Sequence, residues 1–170
     1  MNNPENKAYP ILEFDSAAEA LLEPKRIVKP PAGGVPEHAV ACFFQEVITK
    51  LAEEHKAQVI ARLRSEIGTH PVCRVEIEGK PLAVFHPGIG APLSAALLEE
   101  VIALGCTKFV ACGGAGVLDS DIALGHVVVP TSAVRDEGTS YHYLPPAREV
   151  AGDPLVAEAI KRVLAAHNVA

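Results

Sequence analysis

The chain has no tryptophan, one methionine and only 5% aromatic residues, and its Lys and Arg never gather densely enough to follow a phosphate backbone. With a formal net charge of −6, nucleic acid is excluded as the expected partner. No apolar run is long and uncharged enough to cross a bilayer, and MNNPENKAYP lacks a basic region followed by a hydrophobic one. The expectation is a soluble, cytoplasmic protein with no membrane partner. Four cysteines, Cys42, Cys73, Cys106 and Cys112, show no C-x-x-C spacing, so they are expected to be small core fillers rather than a disulfide framework or a zinc site. The seven histidines form no H-x-x-x-H pair, which gives a metal centre no support.

What remains is small and aliphatic. Apolar residues make up 49% of the 170 positions, with 13 Gly and 14 Pro, the composition of a buried sheet with flanking helices in one α/β domain. Two stretches organise it: Phe85-His86-Pro87-Gly88-Ile89-Gly90-Ala91-Pro92 and Phe109-Val110-Ala111-Cys112-Gly113-Gly114-Ala115-Gly116. Each is an apolar run broken by glycines, and Leu93 to Leu104 between them has the pattern of a buried helix. This predicts a strand, glycine turn, helix, strand, glycine turn unit on adjacent parallel strands. Parallel sheets place ligands at such turns, beyond the carboxyl ends of the strands. Gly88 and Gly90 permit positive φ and close backbone approach, and Pro92 suits a first helical turn. Free N–H groups at the helix start favour an anion or a sugar hydroxyl. Leu93 stands where a G-x-G-x-x-G motif needs its third glycine, and no Lys-Ser/Thr pair follows, so no dinucleotide or ATP site is indicated.

Along the chain, Ser16 to Leu22 suits a helical turn or two and Arg26 to Val28 a strand. A Pro/Gly loop follows at residues 30–34. Val40, Phe44, Val47, Ile48 and Leu51 recur at helical spacing and predict an amphipathic helix over Pro36 to Glu54. Ala57 to Glu66 fits strand or helix. Val72 to Ile77 and Leu82 to His86 flank Glu78-Gly79-Lys80-Pro81, a hairpin that would make the sheet mixed. Gly105 ends the central helix, Phe109 to Cys112 is expected as a buried strand and His126 to Pro130 as another. Arg135 to Tyr143 packs charge, hydroxyl, imidazole and two phenols into nine residues, the content of a ligand-contacting loop. Asp153-Pro154 caps a last helix with Leu155, Val156, Ala159, Ile160, Val163, Leu164 and Ala166 on its apolar face, closed by His167-Asn168. Val169-Ala170 has the look of a first step into another strand, so an incomplete βα alternation is expected.

The segments Gly88-Ile89-Gly90-Ala91-Pro92, Leu98-Glu99-Glu100, Gly113-Gly114-Ala115-Gly116, Gly125-His126-Val127-Val128-Val129-Pro130 and Arg135-Asp136-Glu137-Gly138-Thr139-Ser140 together resemble the nucleoside phosphorylase family, which includes purine nucleoside and uridine phosphorylases. Tyr9 to Asp15 is similar to one bacterial branch. The resemblance implies a three-layer α/β fold with a central mixed sheet flanked by helices, assembled as a homo-oligomer, a dimer or trimer of dimers. It implies reversible phosphorolysis of a purine or pyrimidine nucleoside, with inorganic phosphate as co-substrate and no other cofactor. Gly88, Ile89 and Gly90 would approach phosphate or ribose, and Gly113, Gly114, Ala115 and Gly116 would line the sugar and base pocket. Arg135, Glu137, Thr139 and His142 would border the base. The chain departs from the family at Ala111, where an arginine usually holds phosphate, and at Pro30 to Pro36, which lacks the Gly-Asp-Pro-x-Arg loop. Arg26, Arg62, Arg64 or Arg135 would have to supply that charge. The Met-Glu pair that grips ribose, and the acid or amide near the base, belong to a part of the fold after Asp153 to His167. The same fold with water in place of phosphate is a nucleosidase, the alternative reading, and a non-catalytic truncated remnant is a third.

Overall fold

A computed structural model describes residues 9–169, which fall into two compact units: residues 17–114, and residues 115–169 together with 9–16. The first is a five-stranded sheet in the order β2-β3-β4-β1-β5, formed by β1 (His38–Cys42), β2 (Gln58–Ser65), β3 (Gly68–Ile77), β4 (Lys80–Phe85) and β5 (Lys108–Cys112). β1 runs parallel to both β4 and β5, while β2, β3 and β4 pair antiparallel. The sheet is mixed, as the hairpin pattern predicted. The hairpin turn places Glu78 at φ 52° and Gly79 at φ 73°, the two successive left-handed residues that match the twist of a tight two-residue connection.

Strand alternation divides the core into two layers. Ala39, Ala41, Ala83, Phe85, Val72 and Leu63 face one side and meet Leu97, Val101 and Leu104 of α3 (Ala91–Leu104). Cys42, Val84 and Val75 face the other and meet Ile48 of α2 (Gln45–Glu54). Alanines on β1 and β4 let α3 lie close, and fully buried Phe85, Leu97 and Val101 each contribute about 1.5–3 kcal/mol of burial. Helices therefore cover both faces of the mixed sheet, the three-layer arrangement.

Several expectations are corrected. Pro36 to Glu54 is strand β1 followed by α2, not one helix. The helical spacing of Val40 and Phe44 ran across a strand end, and pairing on both edges of β1 overrides it. Ser16 to Leu22 forms bends, and the single helical turn α1 (Pro24–Ile27) replaces the strand expected at Arg26 to Val28, with Pro24 at its first position. Ala57 to Glu66 resolves as β2. Phe109 to Cys112 is a strand but not a buried one: β5 is an edge with Val110 42% exposed. Cys112 is exposed with it, whereas Cys42, Cys73 and Cys106 are buried as core fillers. The two glycine turns are not on adjacent strands, because β1 lies between β4 and β5.

In the second unit, β6 (Ser132–Val134) pairs antiparallel with β7 (Glu149–Ala151), and α4 (Pro154–Ala166) follows. Asp153 caps α4, its carboxylate accepting from the N–H groups of Leu155 at 2.8 Å and Val156 at 3.4 Å, and His167 with Asn168 (φ 55°) ends it. His126 to Pro130 is not a strand. No neighbouring strand pairs with it among the described residues, and Val127 and Val128 are exposed. The expected apolar face of α4 is likewise open, with Leu155 78% and Val163 59% exposed and only Ala157 buried.

Candidate functional site

The three parallel strands β4, β1 and β5 end together, and the chain leaves them through His86–Gly90, Phe43-Phe44 and Gly113-Gly114. The connection from β4 through α3 to β5 passes over β1, so neighbouring strands at this edge send their chains to opposite sides. That is the point at which an open α/β sheet opens a ligand crevice.

Geometry requires glycine at one of these positions and leaves little room for more at another. Gly88 has φ 80°, and a Cβ there would sit 2.6 Å from Leu93 Cγ, so both conformation and space exclude a side chain. Gly113 has an ordinary backbone, but its missing Cβ leaves room for Phe43, which a methyl would meet at 3.1–3.2 Å. Gly90, at φ 88°, is the N-cap of α3, with the Ser94 N–H donating to its carbonyl at 3.0 Å. Ile89 between them is 75% exposed. The first-turn N–H groups of α3 thus begin beside the turn, and Pro92 has none to leave unpaired.

His86 and Phe43, neither of them singled out as a site residue from sequence, join this group. The Gly88 N–H donates to His86 Nδ1 at 3.0 Å. Nδ1 is then the acceptor, which leaves Nε2 to carry the proton of a neutral ring. The ring meets Phe43 edge to face, with centroids 6.1 Å apart. The signal for His86 was its place directly after a strand and before the glycine pair. Phe43 was hidden by the helix expected across it.

This strand-end group holds no Lys or Arg on residues 43–44, 86–90 or 113–114. Lys108 lies at the opposite end of β5, paired with Glu37 at 3.2 Å, which holds that carboxyl below its usual range. A hollow of about 500 Å3 does carry cations, Lys29, Arg62 and Arg64, around Ile60, Leu63 and Leu104. It is not at the strand ends: Glu100, which lines it, is ten residues along α3 from Gly90, about 15 Å of helix rise. Only the strand ends join a helix start, glycine turns and strand termini. Burial raises the Glu100 carboxyl above its usual value.

The remaining candidates lie in the second unit, in which Ala115 and Gly116 also fall; a Cβ at Gly116 would meet nothing. Arg135 is the buried charge among the described residues, 5% exposed. Its Nε donates to Ser140 Oγ at 2.9 Å, Nη1 to the Pro145 carbonyl at 2.6 Å, and Nη2 to the carbonyls of Ser140 at 2.8 Å and Leu144 at 2.9 Å. The guanidinium also lies 4.6 Å from the Tyr141 ring centre. Four of its five N–H donors are spent on the loop. Glu137 accepts from the Ser140 N–H at 2.9 Å, and the Ser140 hydroxyl and N–H, with Thr139 and Arg135, hold its carboxyl below the usual range. Thr139 opens and His142 closes a 3-10 turn that packs against a second one at Pro10–Leu12. Gly138, at φ 86°, approaches Ile11 there. His142 is exposed.

A sequence profile of the phosphorylase superfamily matches residues 37–170. Uridine phosphorylase of Escherichia coli is 39% identical over 72 residues, 42% of this chain and 28% of that protein. Uridine phosphorylase of Treponema pallidum is 41% identical over 81 residues, 48% of this chain and 31% of that protein. Guanosine phosphorylase of Halorubrum lacusprofundi is 35% identical over 74 residues, 44% of this chain and 31% of that protein. The crystal structure of uridine phosphorylase from Vibrio fischeri superposes with a TM-score of 0.71 at 25% identity, covering 82% of this chain and 57% of that one. The matched stretches thus span under a third of these curated relatives, and the fold spans little more than half of the solved one.

Proposed function

The chain belongs to the phosphorylase superfamily, and from that premise we propose that it serves phosphorolysis of a nucleoside's N-glycosidic bond, releasing free base and a pentose 1-phosphate. Inorganic phosphate is the co-substrate and no further cofactor takes part. The observation that carries the reading is the crossover of β4–α3–β5 over β1, which gathers Gly88, Gly90 and Gly113 at the ends of three parallel strands beside a helix start. Such a site offers backbone N–H groups and a dipole to the negative charge that develops as base and sugar part. The relatives' names, uridine and guanosine phosphorylase, set the first substrates to try. Cytoplasmic location and assembly as a homo-oligomer, a dimer or trimer of dimers, belong to the same proposal.

One observation favours hydrolysis as a second reading. The three strand-end loops carry no Lys or Arg, and Ala111 stands where the family pattern has its phosphate-holding arginine. A phosphate dianion there would rely on backbone N–H groups without a charge-assisted partner. Uridine and guanosine would be incubated with the chain with and without phosphate, following both free base and the sugar product. Phosphate-dependent release of base with pentose 1-phosphate supports phosphorolysis. Free pentose at a rate indifferent to phosphate replaces it with hydrolysis, and no turnover in either buffer leaves only binding.

A further inference from the structure

Outside the chemistry proposed above, one pair of nucleophilic side chains is set side by side by the sheet itself. Cys42 ends β1 and Cys112 ends β5, and the two are direct partners in the parallel register. The ladder continues past them, the Phe43 N–H donating to the Cys112 carbonyl at 2.9 Å, so the register is held at the pair. In-register residues of a parallel pair project to the same face, and Cys42 lies in the layer under α2. Both thiols are free. Cys42 is 2% exposed while Cys112 is open to solvent, so one sulfur is fixed by packing and the other is accessible. The Cys42 thiol donates to the Phe44 carbonyl at 3.7 Å.

We propose that Cys42 and Cys112 form a bidentate site for a soft, closed-shell metal ion of the Cu(I) class. Neighbouring strands stand about 4.8 Å apart, and two metal–thiolate bonds of about 2.3 Å, the zinc–sulfur length, sum to about 4.6 Å. A linear sulfur–metal–sulfur unit therefore bridges these positions without moving either backbone. A disulfide fits less well, because it needs Cβ atoms about 3.8 Å apart, nearer than strand spacing. Among the described residues no third His, Cys, Asp or Glu joins the pair. That argues against zinc, which takes four ligands, and for an ion content with two thiolates. Binding breaks two S–H bonds, forms two S–metal bonds and releases two protons, with no change of oxidation state. The resulting complex carries one negative charge.

The test is an anaerobic titration of the reduced full chain with Cu(I) against a competing chromophoric chelator, with proton release followed in weak buffer. The expected result is one tightly bound ion per chain and two protons released per ion. Cys112→Ser and Cys112→Ala, at an exposed position, are each expected to weaken binding by at least about a hundredfold, since one thiolate cannot chelate. Cys73→Ala, in the core of another strand, should leave the tight site intact. Undiminished affinity in both Cys112 variants overturns the proposal, as does release of a single proton per ion or a loss of the tight site in Cys73→Ala with the fold retained by circular dichroism.

Discussion

Replacing Arg135 should loosen the segment from Thr139 to Pro145 more than any other single change in that loop. The guanidinium makes four hydrogen bonds, three of them to backbone carbonyls, at 2.6 to 2.9 Å, and is 5% exposed. At about 1.5 kcal/mol for each bond to a charged group the total is about 6 kcal/mol. The carbonyls it serves sit in a loop whose other residues are half-buried or exposed, so water recovers part of the loss. About 3 kcal/mol is then expected for Arg135→Ala. Lysine keeps the charge but not the planar fork, and so cannot serve Ser140, Leu144 and Pro145 together; Arg135→Lys is expected to lose about 2 kcal/mol. Amide hydrogen exchange reads this directly, because local opening sets the rate. With 1.36 kcal/mol per factor of ten, protection of the amides of Tyr143 and Leu144, which bond to Ser140, should fall about a hundredfold in the alanine variant. Exchange within about threefold of the parent would refute the reasoning, and would mean that the loop is held by the 3-10 turn and its contact with Pro10–Leu12 instead.

Other consequences are nearer the sheet and the helix ends. Gly88→Ala forces a Cβ onto Leu93 at a φ of 80° and should cost about 2 kcal/mol or more by denaturant unfolding; an effect under 0.5 kcal/mol would show that the turn needs no glycine. Asp153→Ala removes the cap of α4 and should destabilise that helix by about 1 kcal/mol, measured as faster exchange at Leu155 and Val156. Glu137 has its carboxyl depressed below 4.5 by Ser140 first. Its contribution to the loop is therefore complete above pH 4.5, the unfolded value, and fades as pH falls through the lower folded one; a carboxyl titration with its midpoint at or above 4.5 would contradict this. Cys112, although exposed, has its thiol pushed up to about 11 by burial of the group and by the neighbouring Cys42. Alkylation by iodoacetamide should keep accelerating up to about pH 11, and Cys42→Ser should move that profile down.

The sequence by itself determined those features that depend on residues close together in the chain. Glu78-Gly79 between two apolar runs specifies a tight hairpin, Gly88 and Gly90 specify left-handed backbone before a helix, and Asp153-Pro154 specifies a helix start. Each is a local steric or capping demand that no distant residue can cancel. Tertiary structure decided the rest. The helical spacing held from Val47 to Leu51, in α2, but around Val40 it gave way to β1, because His38–Cys42 gains hydrogen bonds on both edges and burial on both faces only once β4 and β5 lie beside it. His126 to Pro130, equally rich in valine, has no such neighbours and is not a strand. The glycine turns were legible, but not that β1 separates them, nor that this order brings Phe43 and His86 between them. Arg135 stood out in the sequence as a charge for a ligand, yet its donors turn inward, because carbonyls five to ten residues later fold back over it. Pairing between strands and the direction of a side chain are set by partners distant in the chain, and no spacing within a segment encodes them.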